Sequence, residues 1–171
     1  MIDLHDILLA LHVAAGSLGL ALGPVAMWAE REASYSSRAG TAYQWSVLAV
    51  SVTAVGLVAL DPSALWWLSL LAALAYSLAL LGFLAPRRRG PGWVRAYAHG
   101  QGGSYIALVT ALLVVSLEGP AAPAAWVVPT LVGLPLIEWR VARISARAPP
   151  ASEGTLSDAI NHGYTPERRR T

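Results

Sequence analysis

From Ala42 to Ala85 the chain reads AYQWSVLAVSVTAVGLVAL-DPS-ALWWLSLLAALAYSLALLGFLA, and Asp61 is the single charged side chain in that stretch. A helix needs about 20 mostly apolar residues to cross roughly 30 Å of hydrocarbon. Asp61-Pro62-Ser63 divides the stretch into two such lengths, Ala42–Leu60 and Ala64–Ala85. Working outward, three more segments qualify: Ile7–Trp28, Ala96–Leu117 and the shorter Ala122–Trp139. The last carries Pro129 and Pro135, which membrane helices tolerate because neighbouring groups re-satisfy the freed carbonyls. The start, Met1 to Asp6, is acidic, so the first apolar segment reads as a retained helix rather than a secretory signal.

Composition agrees. The chain has 171 residues, 56% of them apolar and 13% charged, too little polar surface to cover a soluble domain. Cysteine is absent, which removes disulfides, thiolate metal sites and cysteine nucleophiles together. All 12 cationic side chains are arginine, yet net charge is only +2, and no broad basic face supports nucleic-acid binding.

Charge sets the expected orientation. Arg31 and Arg38 lie between the first and second spans, Arg87, Arg88, Arg89 and Arg95 between the third and fourth, and Arg140, Arg143 and Arg147 after the fifth. The remaining connections, Asp61-Pro62-Ser63 and Glu118-Gly119-Pro120-Ala121, hold no cation. Cytoplasmic loops accumulate Arg and Lys, so the pattern predicts five spans with the N-terminus outside and the C-terminus in the cytoplasm. Tryptophan prefers the membrane interface. Trp28, Trp45, Trp93 and Trp139 fall at the expected cytoplasmic ends, and Trp66, Trp67 and Trp126 at the outer ends. The expected fold is an all-α integral membrane protein, a five-helix bundle over residues 1–142 followed by a polar cytoplasmic tail, 143–171. Arg168, Arg169 and Arg170 near its end suit anionic lipid headgroups.

Helix association in lipid relies on close approach at small residues. His12, Gly16, Gly19 and Gly23 recur every three or four positions on the first span, and Gly100, Gly102, Gly103 and Ser104 open the fourth. These two helices are the expected central pair, with Gly16, Gly19, Gly23, Gly100 and Gly103 as packing residues. The glycine run lacks the Lys–Ser/Thr of a phosphate loop.

Ionisable groups within a membrane are costly and mark candidate sites. They are His12, His99, Arg95 and Glu138, with Tyr43, Gln44, Gln101, Ser104 and Tyr105 as polar neighbours. Two histidines on separate helices raise the idea of haem b. His12 lies roughly 8 Å inside the outer end of its span and His99 roughly 6 Å inside the inner end. Across about 30 Å of hydrocarbon they stand roughly 16 Å apart, whereas nitrogens sharing one metal lie about 4 Å apart. One chain therefore does not ligate one haem with both. A His99–Met27 pair is closer in depth, although Met27 also reads as an apolar interface residue. His5, beside Asp3 and Asp6, reads as solvated, and His12 on a glycine stripe also reads as a packing histidine. Tyr43, Gln44, Arg95, His99, Gln101 and Glu138 gather near the inner interface on three helices. They would hold a quinone or lipid headgroup or relay a proton, or else form a solvated belt in which Arg95 or Arg140 offsets Glu138. No nucleophile–base constellation or H-E-x-x-H motif appears. Five spans do not divide into the inverted halves of many transporters.

Several motifs resemble a bacterial family of predicted membrane proteins, labelled domain of unknown function 2306. They are Leu11-His12 with Gly23-Pro24, then Arg38-Ala39-Gly40-Thr41-Ala42-Tyr43, then His99-Gly100-Gln101-Gly102-Gly103-Ser104-Tyr105-Ile106 with Thr110-Ala111. Pro129 and Gly133-Leu134-Pro135-Leu136-Ile137 complete them. In the family pattern a His precedes the arginine matching Arg38, where this chain has Ser37. The resemblance implies a multi-span bundle and brings no established activity.

The leading expectation is a small non-catalytic subunit of the bacterial inner membrane, packed against other membrane proteins or its own copies and needing no cofactor. The rivals are a haem- or quinone-binding redox module built on His99 and His12, and a small-solute carrier.

Overall fold

The computed structural model of the chain describes residues 3–29, 38–88, 92–117, 119 and 122–147. Arg31, Arg89, the loop residues Glu118, Pro120 and Ala121, and the tail from Ala148 onward lie outside the described residues. The described chain folds into five long helices: α1 (Leu4–Ala29), α2 (Arg38–Leu60), α3 (Pro62–Arg88), α4 (Trp93–Ser116) and α5 (Ala122–Arg147). All five are long and apolar enough to cross a membrane, which makes this a multi-pass membrane protein by length and composition. Residues 143–147, the start of the polar tail read above, are helical and form the last residues of α5. Nothing in Arg-Ile-Ser-Ala-Arg breaks a helix, and the first residue that does is Pro149. Residues 1–141 form one compact unit, and from Ala142 onward the chain belongs to a second.

Neighbouring helices run antiparallel. Along α1, Leu8, His12, Gly16, Gly19 and Gly23 meet Gly56, Thr53, Val50, Ser46 and Tyr43 of α2 in turn, so one register climbs as the other descends. Between α3 and α4, Leu78 meets Gly103 and Gly82 meets Gly100. The Ser51 hydroxyl of α2 donates to the Ala72 carbonyl of α3 across 3.1 Å. Gly19 and Gly23 of α1 also meet Leu108 and Tyr105 of α4. Helices α1 to α4 thus close a four-helix ring. Inside it lies a core of Ala26, Tyr43, Val47, Val50, Ala79 and Leu108.

α5 lies outside that ring and crosses α4. Ile137 covers Gly102, Ile106 packs on Gly133, and Trp126 meets Trp67 of α3 at 5.1 Å between ring centroids. At its other end the Arg140 guanidinium donates to the Met27 carbonyl in the last turn of α1. A cation there satisfies a carbonyl the helix leaves open and meets the negative end of its dipole.

The expected central pairing of α1 with α4 is half right. α4 is central: Gly100 and Gly103 face α3, Gly102 faces α5, Ser104 bonds Tyr43 of α2, and Tyr105 faces α1. α1 is peripheral, with Leu4, Leu11, Val13, Leu18 and Val25 all exposed. α4 and α3 approach closely backbone to backbone: a Cβ on Gly82 would stand 2.7 Å from the Gln101 amide nitrogen.

Candidate functional site

The four ring helices do not pack along their whole length. α1 and α4 touch at Gly19, Leu20 and Gly23 against Tyr105 and Leu108. From there toward His5 and Asp61 the ring surrounds a cavity of about 340 Å³. Its walls come from all four helices and are mostly leucine, valine and alanine, among them Leu57, Leu71, Ala75 and Ala111. His12, Ser17 and Ser51 are the polar side chains set into those walls, and His5 and Asp61 stand at one mouth. A second opening is lateral. Leu9 and Val13 of α1 and Leu112 and Val115 of α4 line the cavity and are still 44%, 57%, 47% and 58% exposed. The gap between α1 and α4 therefore faces whatever surrounds the bundle, and in a membrane that is lipid. Ligand sites of helical bundles have this character: a few hundred Å³, mainly apolar, with a small number of placed polar groups.

His12 is held in a definite way. Its Nδ1 lies 3.0 Å from the Thr53 hydroxyl oxygen. That hydroxyl donates its one proton back to the Ala49 carbonyl at 2.7 Å, with the Val50 carbonyl 3.0 Å away. Such back-bonding is how a helical threonine in an apolar setting satisfies its proton. The oxygen then accepts, so Nδ1 carries the hydrogen and Nε2 the lone pair. The Val50 carbonyl, which the ring also reaches, can only accept and sits beside the same oxygen. Nε2 has no hydrogen-bond partner among the described residues.

At the other end of the bundle the polar residues separate into two groups. Tyr43 and Ser104, both 0% exposed, share a hydrogen bond of 3.0 Å between hydroxyls, with the buried Gln44 and Gln101 on the same two helices. The Gln44 side-chain oxygen has no partner among the described residues. His99, Arg95 and Glu138 form the second group, where α5 meets α4. His99 Nε2 lies 2.8 Å from Glu138 Oε1, His99 Nδ1 lies 2.9 Å from the Arg95 carbonyl, and the Arg95 guanidinium lies 3.4 Å from Glu138 Oε2. The Arg95 carbonyl and the Glu138 carboxylate are both acceptors, one facing each ring nitrogen. Both ring nitrogens are engaged, so His99 joins two helices. Glu138 is met by Arg95 and His99, while Arg140 is taken up by the end of α1.

The sequence reading singled out His12 and left the cavity around it unseen. Ser17, Ser51 and Thr53 were missed. Their signal was available: a hydroxyl inside an apolar span must bond something. Among the described residues no three His, Asp or Glu side chains gather as a metal site. Comparison with family models gives no match, and comparisons with curated proteins and with solved structures give none either.

Proposed function

We propose that this chain is a multi-pass protein of the bacterial inner membrane that binds a lipid-soluble small molecule within its four-helix ring, beside His12. The cavity carries this reading: about 340 Å³, walled mainly by apolar side chains and open sideways between α1 and α4. A ligand dissolved in the bilayer reaches such a site without crossing water. The reading takes up the ligand-module idea and moves its centre from His99, whose ring nitrogens are both occupied, to His12. The accessory-subunit idea draws on the apolar middle of the spans and their small-residue faces, features that a ligand-binding bundle shares. The proposed orientation places the N-terminus outside. Arg38, Arg87, Arg88, Arg95 and Arg140 all belong to one end of the antiparallel bundle, the end that would face the cytoplasm.

The test is to fill the cavity. Ala111→Leu adds bulk to a wall residue that is not part of a polar contact. Protein purified mildly from membranes is extracted with organic solvent and the extract analysed by mass spectrometry, alongside an absorption spectrum for haem. The expected result is an apolar compound stoichiometric with the native chain and depleted in Ala111→Leu at unchanged helicity. Identical extracts from the two proteins, or a companion protein as the sole retained partner, would sink the reading.

A further inference from the structure

We infer that His12 makes the cavity selective for ligands that present a hydroxyl donor, the reduced, quinol-like form of a lipophilic ring or an alcohol, over their carbonyl or ether counterparts. The inference rests on the cavity reading above and adds the chemistry of the recognised group. Thr53 decides it. Because its proton goes to the Ala49 carbonyl, its oxygen accepts from His12 Nδ1, which leaves Nε2 as an acceptor. A quinone or ketone brings only further lone pairs to that nitrogen, whereas a hydroxyl brings the hydrogen it lacks. Ser17 and Ser51 do not supply the same discrimination. A hydroxyl serves as donor or acceptor by rotation, and Ser51 already donates to Ala72. The rest of the wall is apolar, so one hydrogen bond sets the preference while burial supplies the affinity.

The ligand body is lipophilic for a separate reason. The lateral gap is bordered by Leu9, Val13, Leu112 and Val115, all apolar and all exposed. A polar group entering there would lose its hydration before meeting a partner. A hydroxyl on an apolar body loses little and regains a bond at His12.

The full chain in nanodiscs is titrated with 2-naphthol and with 2-methoxynaphthalene, empty nanodiscs correcting for partition into lipid. 1-Decanol as a competitor separates a ring alcohol from a chain alcohol. The expected outcome is tighter binding of the naphthol by roughly three- to ten-fold, the range of one net hydrogen bond. His12→Phe removes the preference while keeping measurable binding of the ether, and Thr53→Ser, which keeps the hydroxyl, retains it. Equal affinity of the native protein for naphthol and ether overturns the inference and leaves the cavity reading intact. Binding of neither probe above the empty-nanodisc level overturns both. Displacement of the naphthol by decanol assigns the site to alcohols generally, and failure to displace assigns it to hydroxylated rings, the selectivity for a donor standing in both cases.

Discussion

At the residue scale, a membrane interior forces each polar group to find a partner inside the protein. Pro24 brings no N–H, so the Leu20 carbonyl one turn earlier has no helical donor, and the Tyr105 hydroxyl of α4 reaches it at a long 3.4 Å. Ser46, Thr53 and Ser77 turn back to carbonyls of their own helices. Glu138 has no such local option and reaches across to His99 and Arg95 of α4. It therefore ties α5 to the ring, and its removal should act on docking rather than on helix formation. The chain has no cysteine, so introduced pairs report cleanly. With cysteines in place of Trp67 and Trp126, whose ring centroids lie 5.1 Å apart, Glu138→Leu should slow trapping of α5 against α3 by a short bis-maleimide and Glu138→Gln should slow it less. Equal trapping in all three backgrounds would make the contact incidental. His99→Ala should behave like Glu138→Leu and leave cavity binding unchanged.

At the element scale, glycines set how near helices come, and their cost depends on what faces them. A Cβ on Gly100 would lie 2.7 Å from the Gly82 Cα and from the Leu78 carbonyl, atoms of a backbone that moves only if the whole helix moves. Gly100→Ala should destabilise by about 1–3 kcal/mol, the usual range for overpacking. A Cβ on Gly16 would meet the Val50 side chain at an ordinary 3.8 Å. Gly16→Ala should therefore stabilise by about 0.5–1 kcal/mol through helix propensity. Unfolding both variants in detergent beside the native chain checks the opposite signs. The sequence showed two glycine-rich helices and suggested that they pair with each other. A glycine stripe announces a close approach and says nothing of its partner. The α4 run serves three neighbours because successive residues of a helix point in different directions.

At the scale of the whole molecule, Arg38, Arg87, Arg88, Arg95 and Arg140 stand at the opposite end of the bundle from the cation-free turn at Asp61. The proposed topology predicts that Asp61→Cys is labelled by a membrane-impermeant maleimide in intact cells, whereas Gly92→Cys is labelled only after lysis. The reverse pattern would invert the orientation. The number of spans was readable from the sequence alone, because hydrocarbon thickness fixes the length of apolar chain a helix needs, and five stretches meet it. His12 and His99 stood out as candidates too, since an imidazole in an apolar span is conspicuous. Their separate partners were not readable. His99 meets Glu138 across 39 positions, and His12 meets Thr53 across 41. Such pairs depend on the rotation and register of one helix against another, which small residues permit and do not specify. The cavity depends on still more: α1 and α4 meet at Gly19, Leu20 and Gly23, and the cavity lies on the His12 side of that contact. Hydropathy along the chain determined that this protein has five helices long and apolar enough to cross a membrane, because partition into lipid is a property of each segment by itself. Where the helices leave room for a ligand was decided by tertiary packing, because a void belongs to the four helices around it and to none of their sequences singly.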